Sequence, residues 1–529
     1  MPGYNVSDIV RQSFQNAPAG ASRVALRFED RAQTYGELAD PVDSLARGLV
    51  AAGLKKGDRV AVLLHNRLEF IEIFFAVAKA GAVVVPINYL LTTSEIAYQF
   101  NDSGVRWLFV SAGLADRVPQ GDALKQPVTT VGLDGLSDAD HQYESLHAAP
   151  KVQVELSPVE ADDLFLLQYT SGTTGAPKAA GHTHGTVLWN SMHQVSDCHL
   201  TSDDVYLSLP ALCWAAGLHD FLLATLWLGG TVVVHPSRGL SVEAVLASMA
   251  RNRVTLTLIV PSVLQLIVSN EALPDYDLSS LRTIFSGSAP VPVALIQEAQ
   301  RKLPHTQILQ GYGMSEFPTL MTVLDAEHAI DKIGSAGRPT LCTALKVMDP
   351  ETGADCPSGV VGEIVVRSPA TMTGYVGREE ANTQAFAGGW FHTGDLGHQD
   401  EDGFLFIAGR AKDMIISGGL NVYPAEIEAA LQEHDAVVES AVLGVDDEER
   451  GEVGLAVVVV AEGARVTGDE LRDHVRERLA GYKTPKHWVV RELALPRTAS
   501  GKVAKPVLRT DLPDLLAAAA ADVTQPAGA

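Results

Sequence analysis

The stretch LFLLQYTSGTTGAPK, Leu164–Lys178, couples a short apolar run to a loop of small and hydroxylated residues ending on a lysine. LFLL reads as a strand buried on both faces, as a parallel sheet requires. In the loop, backbone amides and the hydroxyls of Thr170, Ser171, Thr173 and Thr174 converge on an anion, Gly172 and Gly175 permit close approach, and Lys178 adds a point charge. That is the chemistry of a phosphate cradle. It is not a Walker A loop, because the glycines stand too close together and Ala179 replaces the Ser or Thr that should follow the lysine. The competing reading is a Gly/Ser/Thr-rich surface turn.

Outward from this loop the chain keeps an alternating strand and helix grammar. RVAVLL (Arg59–Leu64) precedes Phe70, Ile73, Phe74 and Val77, which share one helical face, and then AVVVPI (Ala82–Ile87). TLTLIV (Thr255–Val260) is another continuous apolar strand, and SLRTIFSGSAP (Ser280–Pro290) runs from strand to turn into the helical VALIQEAQRKL. From about Leu345 short strands alternate with turn residues, as in a β-rich subdomain. After Arg410, AVVESAVLGV, GLAVVVVAEG and HWVVREL read as strands, while Leu471, Val475 and Leu479 share a helical face. The fold class expected is α/β: a large N-terminal domain of parallel sheets with a β-rich subdomain, residues 1–409, and a small α+β C-terminal domain, residues 410–529. The alanine-rich end reads as a frayed helix and a loose tail.

Length and composition narrow the function. The 529 residues are 46% hydrophobic and 20% charged, ordinary for a globular chain and ample for more than one core. Lys+Arg 40 against Asp+Glu 64 gives a formal charge of −24, which disfavours nucleic acid and anionic membrane as partners. Cys198, Cys213, Cys342 and Cys356 form no CxxC pair, so neither a zinc cage nor a disulfide framework is expected and a reducing cytoplasm fits best. The N-terminus lacks a signal-peptide pattern, and Lys79 breaks the longest apolar run, around Ile73–Ile87.

Further segments carry chemistry. QGYGMSE (Gln310–Glu316) offers Tyr312 for base stacking, Ser315 for a phosphate hydrogen bond and Glu316 for Mg²⁺. HTGDLG supplies Asp395, a carboxylate suited to two ribose hydroxyls. GRAKDMIISGGLNVYPAEIE (Gly409–Glu428) combines Arg410, Lys412 and the Gly418–Gly419 pair, and PRTASGKV presents Lys502 on a Ser-Gly turn.

From Tyr169 to Lys502, in this order, these segments resemble the core motifs of the adenylate-forming superfamily: acyl-CoA synthetases, peptide-synthetase adenylation domains and beetle luciferases. The resemblance begins at TYGEL (Thr34–Leu38) and covers nearly the whole chain. It implies a large domain and a small mobile one with the active site between them, and a two-step reaction. A carboxylate first joins the α-phosphate of ATP, releasing pyrophosphate, and the acyl group then passes to a second nucleophile. Carried over by position, Thr170–Lys178 would hold the β- and γ-phosphates, while Gly287, Ser288, Ala289 and Gln310–Met314 (Gln310, Gly311, Tyr312, Gly313 and Met314) would form the adenine slot. Ser315 would contact the α-phosphate, Glu316 would bind Mg²⁺, Asp395 and Arg410 would hold the ribose, and Lys502 would be the adenylation lysine. Lys412 would be the hinge, Ser417, Gly418 and Gly419 would let the pantetheine of coenzyme A pass, and Lys483 and Lys486 would meet its phosphates, unless the two lysines are merely a solvated basic turn.

Many relatives carry a His where ALCWAAG places Trp214, followed here by Ala215 and Ala216. With Gly287, Gly311 and Thr319, Trp214 implies a pocket for a small aromatic or medium-sized acid; the plainer reading makes Trp214 ordinary core. His182 and His184, after the loop, either approach the substrate or serve surface or packing roles. The acidic run Asp446–Glu449 reads as a solvated loop. The leading expectation is an ATP-dependent carboxylate–CoA ligase using Mg²⁺. Delivery of the adenylate to a carrier-protein thiol or a nitrogen nucleophile, a silent nucleotide-binding protein, a luciferase-like oxidoreductase and assembly as a homodimer stay open. No GxSxG elbow or HExxH motif competes.

Overall fold

The computed structural model describes residues 4–17, 19–147, 154–170, 176–287, 291–461, 463–464, 466–497 and 503–522. The chain groups into two compact units. The first holds Ala176–Ala344, Arg367–Phe391 and the described residues up to 170; the second holds Leu345–Val366 and the described residues from His392 onward. Gly409–Lys412 lies within the second unit.

The strand read first, Leu164–Tyr169, is central to the first unit. One sheet runs in the order Gly374–Tyr375, Ala179–Thr183, Leu164–Tyr169, Val83–Pro86, Arg59–Leu63, Val105–Ser111, Thr129–Leu133 and His141–Gln142. Pairing is parallel where Val84 meets Leu166 and antiparallel where Tyr169 meets Ala179, so the chain reverses direction between these two strands at the end of a parallel run. The helix Leu68–Lys79 buries more than the single face expected. Ile71, Phe75, Ala76 and Ala78 are buried too, because this helix lies inside the unit and is apolar almost all round. Phe74 meets the ring of Phe165 edge to face, with centroids 4.9 Å apart, tying this helix to the strand that feeds the loop.

A second sheet of the first unit runs in the order Ser335–Pro339, Thr322–Leu324, Gln307–Tyr312, Thr283–Ser286, Leu256–Ile259, Val205–Ser208, Thr231–Val234, Val24–Phe28 and Arg31–Thr34. Its parallel core turns antiparallel at Gln307–Tyr312 and Thr322–Leu324, and the loop joining these two strands carries the GMSE residues.

In the second unit the β-rich texture becomes the neighbouring strands Ala344–Met348, Gly362–Arg367, Phe391–Gln399 and Leu405–Arg410. Beyond them Gly451–Val460 is the centre of a sheet, antiparallel to Val437–Asp447 and parallel to His487–Arg491. Its continuous apolar run follows from burial on both faces: Val453, Leu455, Val457 and Val459 pack with Leu508 and Leu515, while Ala456, Val458 and Val460 pack with Ile427, Leu431, Leu471 and Val475. The helix Gly468–Arg476 starts on a capping box of Thr467 and Glu470 and stops before Leu479, which packs against the same cluster from beyond the helix end. Two expectations are corrected here. The alanine-rich helix Leu512–Asp522 packs into the core through Leu515 and Ala519 rather than fraying there, and the expected loose tail, residues 523–529, lies outside the described residues. The acidic run is not wholly loop: Asp446 and Asp447 end a strand, and Asp447 accepts the amides of Glu449 and Arg450 and pairs with Lys486.

Candidate active site

Within the first unit, the loop after Leu164–Tyr169 is closed where the Thr170 amide donates to the Lys178 carbonyl at 2.9 Å. The Lys178 ammonium then lies 4.8 Å from the centroid of the Tyr375 ring. The hydroxyl of the same tyrosine donates to Glu316 Oε1 at 2.8 Å. Tyr375 arrives there because Gly374–Tyr375 pairs with Ala180 and Gly181 of the strand that follows the loop. Sequence reasoning missed Tyr375, since a Gly-Tyr dipeptide carries no chemical signature and only this long-range pairing brings it in. Ser171, Gly172, Thr173, Thr174, Gly175, Ser288, Ala289 and Lys502 fall outside the described residues.

The loop between Tyr312 and Thr322 is pinned along its length. His182 Nε2 donates to the Ser315 carbonyl at 2.8 Å, and the Met372 amide donates to the Glu316 carbonyl at 2.9 Å. At the exit, Asn190 Oδ1 accepts the amides of Thr319 at 3.1 Å and Leu320 at 3.2 Å, and the Thr319 hydroxyl donates to Asp220. The Met321 amide returns to the Tyr312 carbonyl at 2.9 Å. The turn is so tight that a Cβ on Gly313 would fall 1.2 Å from the Thr319 carbonyl oxygen. Burial pushes the Asp220 carboxyl up to about 7, against the lowering effect of the Thr319 hydroxyl.

Of the roles open to them, His182 and His184 take the packing one. Both are fully buried. Burial pushes His182 down to about 4 and His184 to about 3, so both are neutral; His184 stacks on Phe165 and its Nδ1 accepts the Val6 amide. Gly287 and Gly311 come together, a Cβ on the former lying 3.4 Å from the latter's carbonyl oxygen, and a Cβ on Gly311 would sit 2.3 Å from the Phe285 ring. Gln310 Oε1 accepts the Val291 amide at 3.3 Å. Trp214 is half-buried against the cluster containing Leu167, Ala211 and Cys213 and precedes the short helix Ala215–Leu218, so its contacts are those of a core edge; Ala215 is buried.

Within the second unit, Asp395 and Arg410 lie opposite each other on paired strands and form an ion pair, Nε to Oδ1, of 2.7 Å. Asp395 is buried, and its amide donates to Thr393 Oγ1 at 3.1 Å. Lys412 occupies the single turn Ala411–Asp413 just after that strand. Ser417 is buried; Gly418 and Gly419, at φ +59° and +81°, form the two-residue turn between Ile415–Ser417 and Leu420–Val422. Lys483 holds Glu426 at 2.6 Å and Lys486 holds Asp447 at 2.5 Å, so each would have to release a carboxylate to meet a phosphate.

The AMP-binding enzyme family profile matches residues 14–376, and the AMP-binding enzyme C-terminal domain matches residues 426–502. The chain belongs to this family. It is similar to a feruloyl-CoA synthase of an Amycolatopsis species, 42% identical over 92% of this chain and 95% of that one. It is also similar to an indoleacetate–CoA ligase of Aromatoleum aromaticum, 37% identical over 92% and 94%. Among solved structures it resembles an o-succinylbenzoate coenzyme A synthetase from Bacillus subtilis in complex with ATP and magnesium ion, with a TM-score of 0.84 and 33% identity, covering 96% of this chain and 99% of that one.

For an AMP-binding enzyme, the residues brought together fit a hard cation bound alongside phosphate oxygens. Mg²⁺ typically takes one or two carboxylates and fills its remaining positions with phosphate and water oxygens. Glu316 is a partly buried carboxylate held by a phenol and flanked by the Ser315 hydroxyl, and among the described residues no cluster of three His, Cys, Asp or Glu forms an all-protein cage. No helix among the described residues is long and apolar enough to cross a membrane.

Proposed function

We propose that this AMP-forming acid–thiol ligase activates a compact aromatic carboxylic acid, first as its acyl-adenylate and then as its coenzyme A thioester. The observation that supports the acid class is the aromatic wall at Gly311, where the Phe285 ring packs so closely that a Cβ would fall 2.3 Å from it. The acids in the names of its relatives, ferulate, indoleacetate and o-succinylbenzoate, are aromatic and support the same reading.

In the first step a carboxylate oxygen of the acid attacks the α-phosphorus of ATP, the bond to the β-phosphate bridging oxygen breaks, and pyrophosphate leaves with that electron pair. No protein nucleophile is needed; orientation and charge stabilisation do the work. Thr170–Lys178 hold the β- and γ-phosphates, Gly287–Ala289 and Gln310–Met314 the adenine, Ser315 the α-phosphate, and Asp395 with Arg410 the ribose. By its motif, Lys502 is the residue assigned to bridge the attacking carboxylate and the α-phosphate. Glu316 would hold Mg²⁺, which when bound would supply positive charge to the phosphate oxygens. Trp214, Ala215 and Thr319 bound the acid. In the second step the thiol sulfur of coenzyme A attacks the acyl carbonyl, its proton is lost to solvent and AMP departs. Lys412 is the hinge between steps, at the boundary between residues 1–409 and 410–529, and Ser417–Gly419 with Lys483 receive coenzyme A. The four cysteines, all free, support a cytoplasmic setting.

Pyrophosphate release over a panel of hydroxycinnamates, arylacetates, benzoates and fatty acids, with and without coenzyme A, tests the proposal. Release specific to aromatic acids, with thioester formed when coenzyme A is present, is the expected result. A preference for long fatty acids overturns the acid class, and product formed only with a carrier-protein thiol or an amine overturns the acceptor. Lys502→Ala is expected to lower acid-dependent ATP–pyrophosphate exchange by about 10²–10³.

A further inference from the structure

The first unit contains a cation and an anion that ought to attract each other. Lys178 ends the phosphate loop and Glu316 lies on the loop after Tyr312, yet among the described residues the two are linked through a phenol and not by an ion pair with each other. Instead both touch Tyr375. The ammonium lies 4.8 Å from its ring centroid, and the carboxylate accepts its hydroxyl at 2.8 Å. A phenol can do both at once, because its ring face is negative and its hydroxyl hydrogen positive.

The backbone that carries the ring is itself held from several sides. Asn382 Oδ1 accepts the Tyr375 amide at 2.7 Å, and Asn382 Nδ2 donates to the Tyr375 carbonyl at 2.9 Å. The backbone of Gly374–Tyr375 is paired with Ala180 and Gly181, and the Val376 amide donates to the Ala179 carbonyl at 3.0 Å. Three residues earlier, the Met372 amide donates to the Glu316 carbonyl. Segment 372–376 thus holds Glu316 by both backbone and side chain while registering itself against the strand that begins beside Lys178. The ring stands between the two charges, and any pairing of lysine with glutamate would have to be broken before either met phosphate or metal. Breaking a charge pair in a partly desolvated site costs more than breaking one in water.

We propose that Tyr375 is a positioning residue for adenylation, which keeps Lys178 and Glu316 apart and aims the Glu316 carboxylate for its cation. The inference rests on the reading of this unit as the ATP site. Tyr375→Phe keeps the ring over Lys178 and removes only the hydroxyl. It is expected to raise the Mg²⁺ concentration needed for half-maximal ATP–pyrophosphate exchange by about tenfold, the scale of one hydrogen bond to a charged group, with the KM for the acid and the thermal midpoint little changed. Tyr375→Leu removes ring and hydroxyl and is expected to raise the KM for ATP as well. In a Glu316→Gln background, Tyr375→Phe should add nothing to the Mg²⁺ requirement, because the group it acts through has gone.

An unchanged Mg²⁺ requirement in Tyr375→Phe, or full additivity in the double variant, overturns the proposal. If Tyr375→Phe loses thermal stability and raises the KM for acid, ATP and Mg²⁺ together, Tyr375 is structural and the proposal is equally overturned. Absence of acid-dependent exchange in the unmodified protein would instead remove the underlying reading of the site, so the two failures are distinguishable.

Discussion

The loop between Tyr312 and Thr322 and the turn between Ser417 and Leu420 each join two antiparallel strands, and they are built in opposite ways. The first is fixed from outside. Its carbonyls and amides are held by His182, Asn190 and Met372, and its Thr319 by Asp220, all from distant parts of the chain. The second is largely self-contained. Among the described residues its glycines take one outside hydrogen bond, the Gly418 amide to the Arg450 carbonyl at 2.7 Å, beside the pairing of Ser417 with Gly451, and a Cβ on either glycine would meet nothing within 4 Å. The contrast matches two kinds of task. A step that depends on placing charge gains from groups already in position, whereas a step that admits a flexible thiol arm needs space and a defined turn.

The contrast is broken most severely at Gly313. An added methyl group would overlap the Thr319 carbonyl, which is backbone and cannot rotate away. Gly313→Ala is therefore expected to displace the residues that carry Ser315 and Glu316. Acid-dependent ATP–pyrophosphate exchange should fall by about 10²–10³, comparable with losing a preorganised donor. Exchange within a factor of about two of the unmodified protein would show that the position of this loop does not limit adenylation.

Which parts of this were legible beforehand follows from the range of the interactions. The strand Leu164–Tyr169 was readable because an apolar run is a local signal, and the segments holding Gln310–Glu316, Asp395 and Arg410 could be singled out because their motifs are contiguous. Tyr375, Asn190 and Asp220 were not, because each acts through a partner far along the chain: Glu316, 59 positions away for Tyr375; Thr319, 129 positions away for Asn190; and Thr319 again, 99 positions away for Asp220. His182 and His184 stayed open between chemistry and packing for the converse reason. A histidine beside a phosphate loop looks chemical in sequence, and only the fold reveals that the strand Ala179–Thr183 is buried throughout. In the second unit, Gly418 and Gly419 were readable as a pair but not as a turn until their positive φ angles supplied the reason for glycine.

Acid sharpens the contrast less drastically. The first loop rests on a region with four buried imidazoles, His182, His184, His193 and His219, pushed by burial down to about 4, 3, 4 and 3 from an ordinary 6.5. Each is neutral when folded and takes a proton on unfolding below 6.5, so the stability they contribute is present above 6.5 and is lost as pH falls through the folded values. Asp220 works the other way: its raised pKa makes its burial least costly at low pH and most costly above about 7. Four groups against one predict net loosening of the first unit between pH 6.5 and 4. Hydrogen exchange should then show protection lost at Ser315–Leu320 before Ile415–Val422. Loss in the opposite order would mean that the buried imidazoles do not govern the acid response.

The smallest expected effect separates two reasons for glycine in the Ser417–Leu420 turn. Both central residues have positive φ, so the turn alone disfavours an alanine at Gly418 by about 1–2 kcal/mol, and a loss of activity in Gly418→Ala would have two explanations. Asparagine tolerates this conformation and is a preferred first residue in such a turn. Gly418→Asn therefore keeps the fold and adds a side chain on the surface assigned to the pantetheine arm. It should leave the thermal midpoint and ATP–pyrophosphate exchange unchanged while slowing thioester formation from the acyl-adenylate by about tenfold, the cost of misplacing a reacting group by a fraction of its own width. If single-turnover thioester formation is as fast as in the unmodified protein, the glycine answers to the turn alone, and the passage of coenzyme A must be sought at other residues of the second unit.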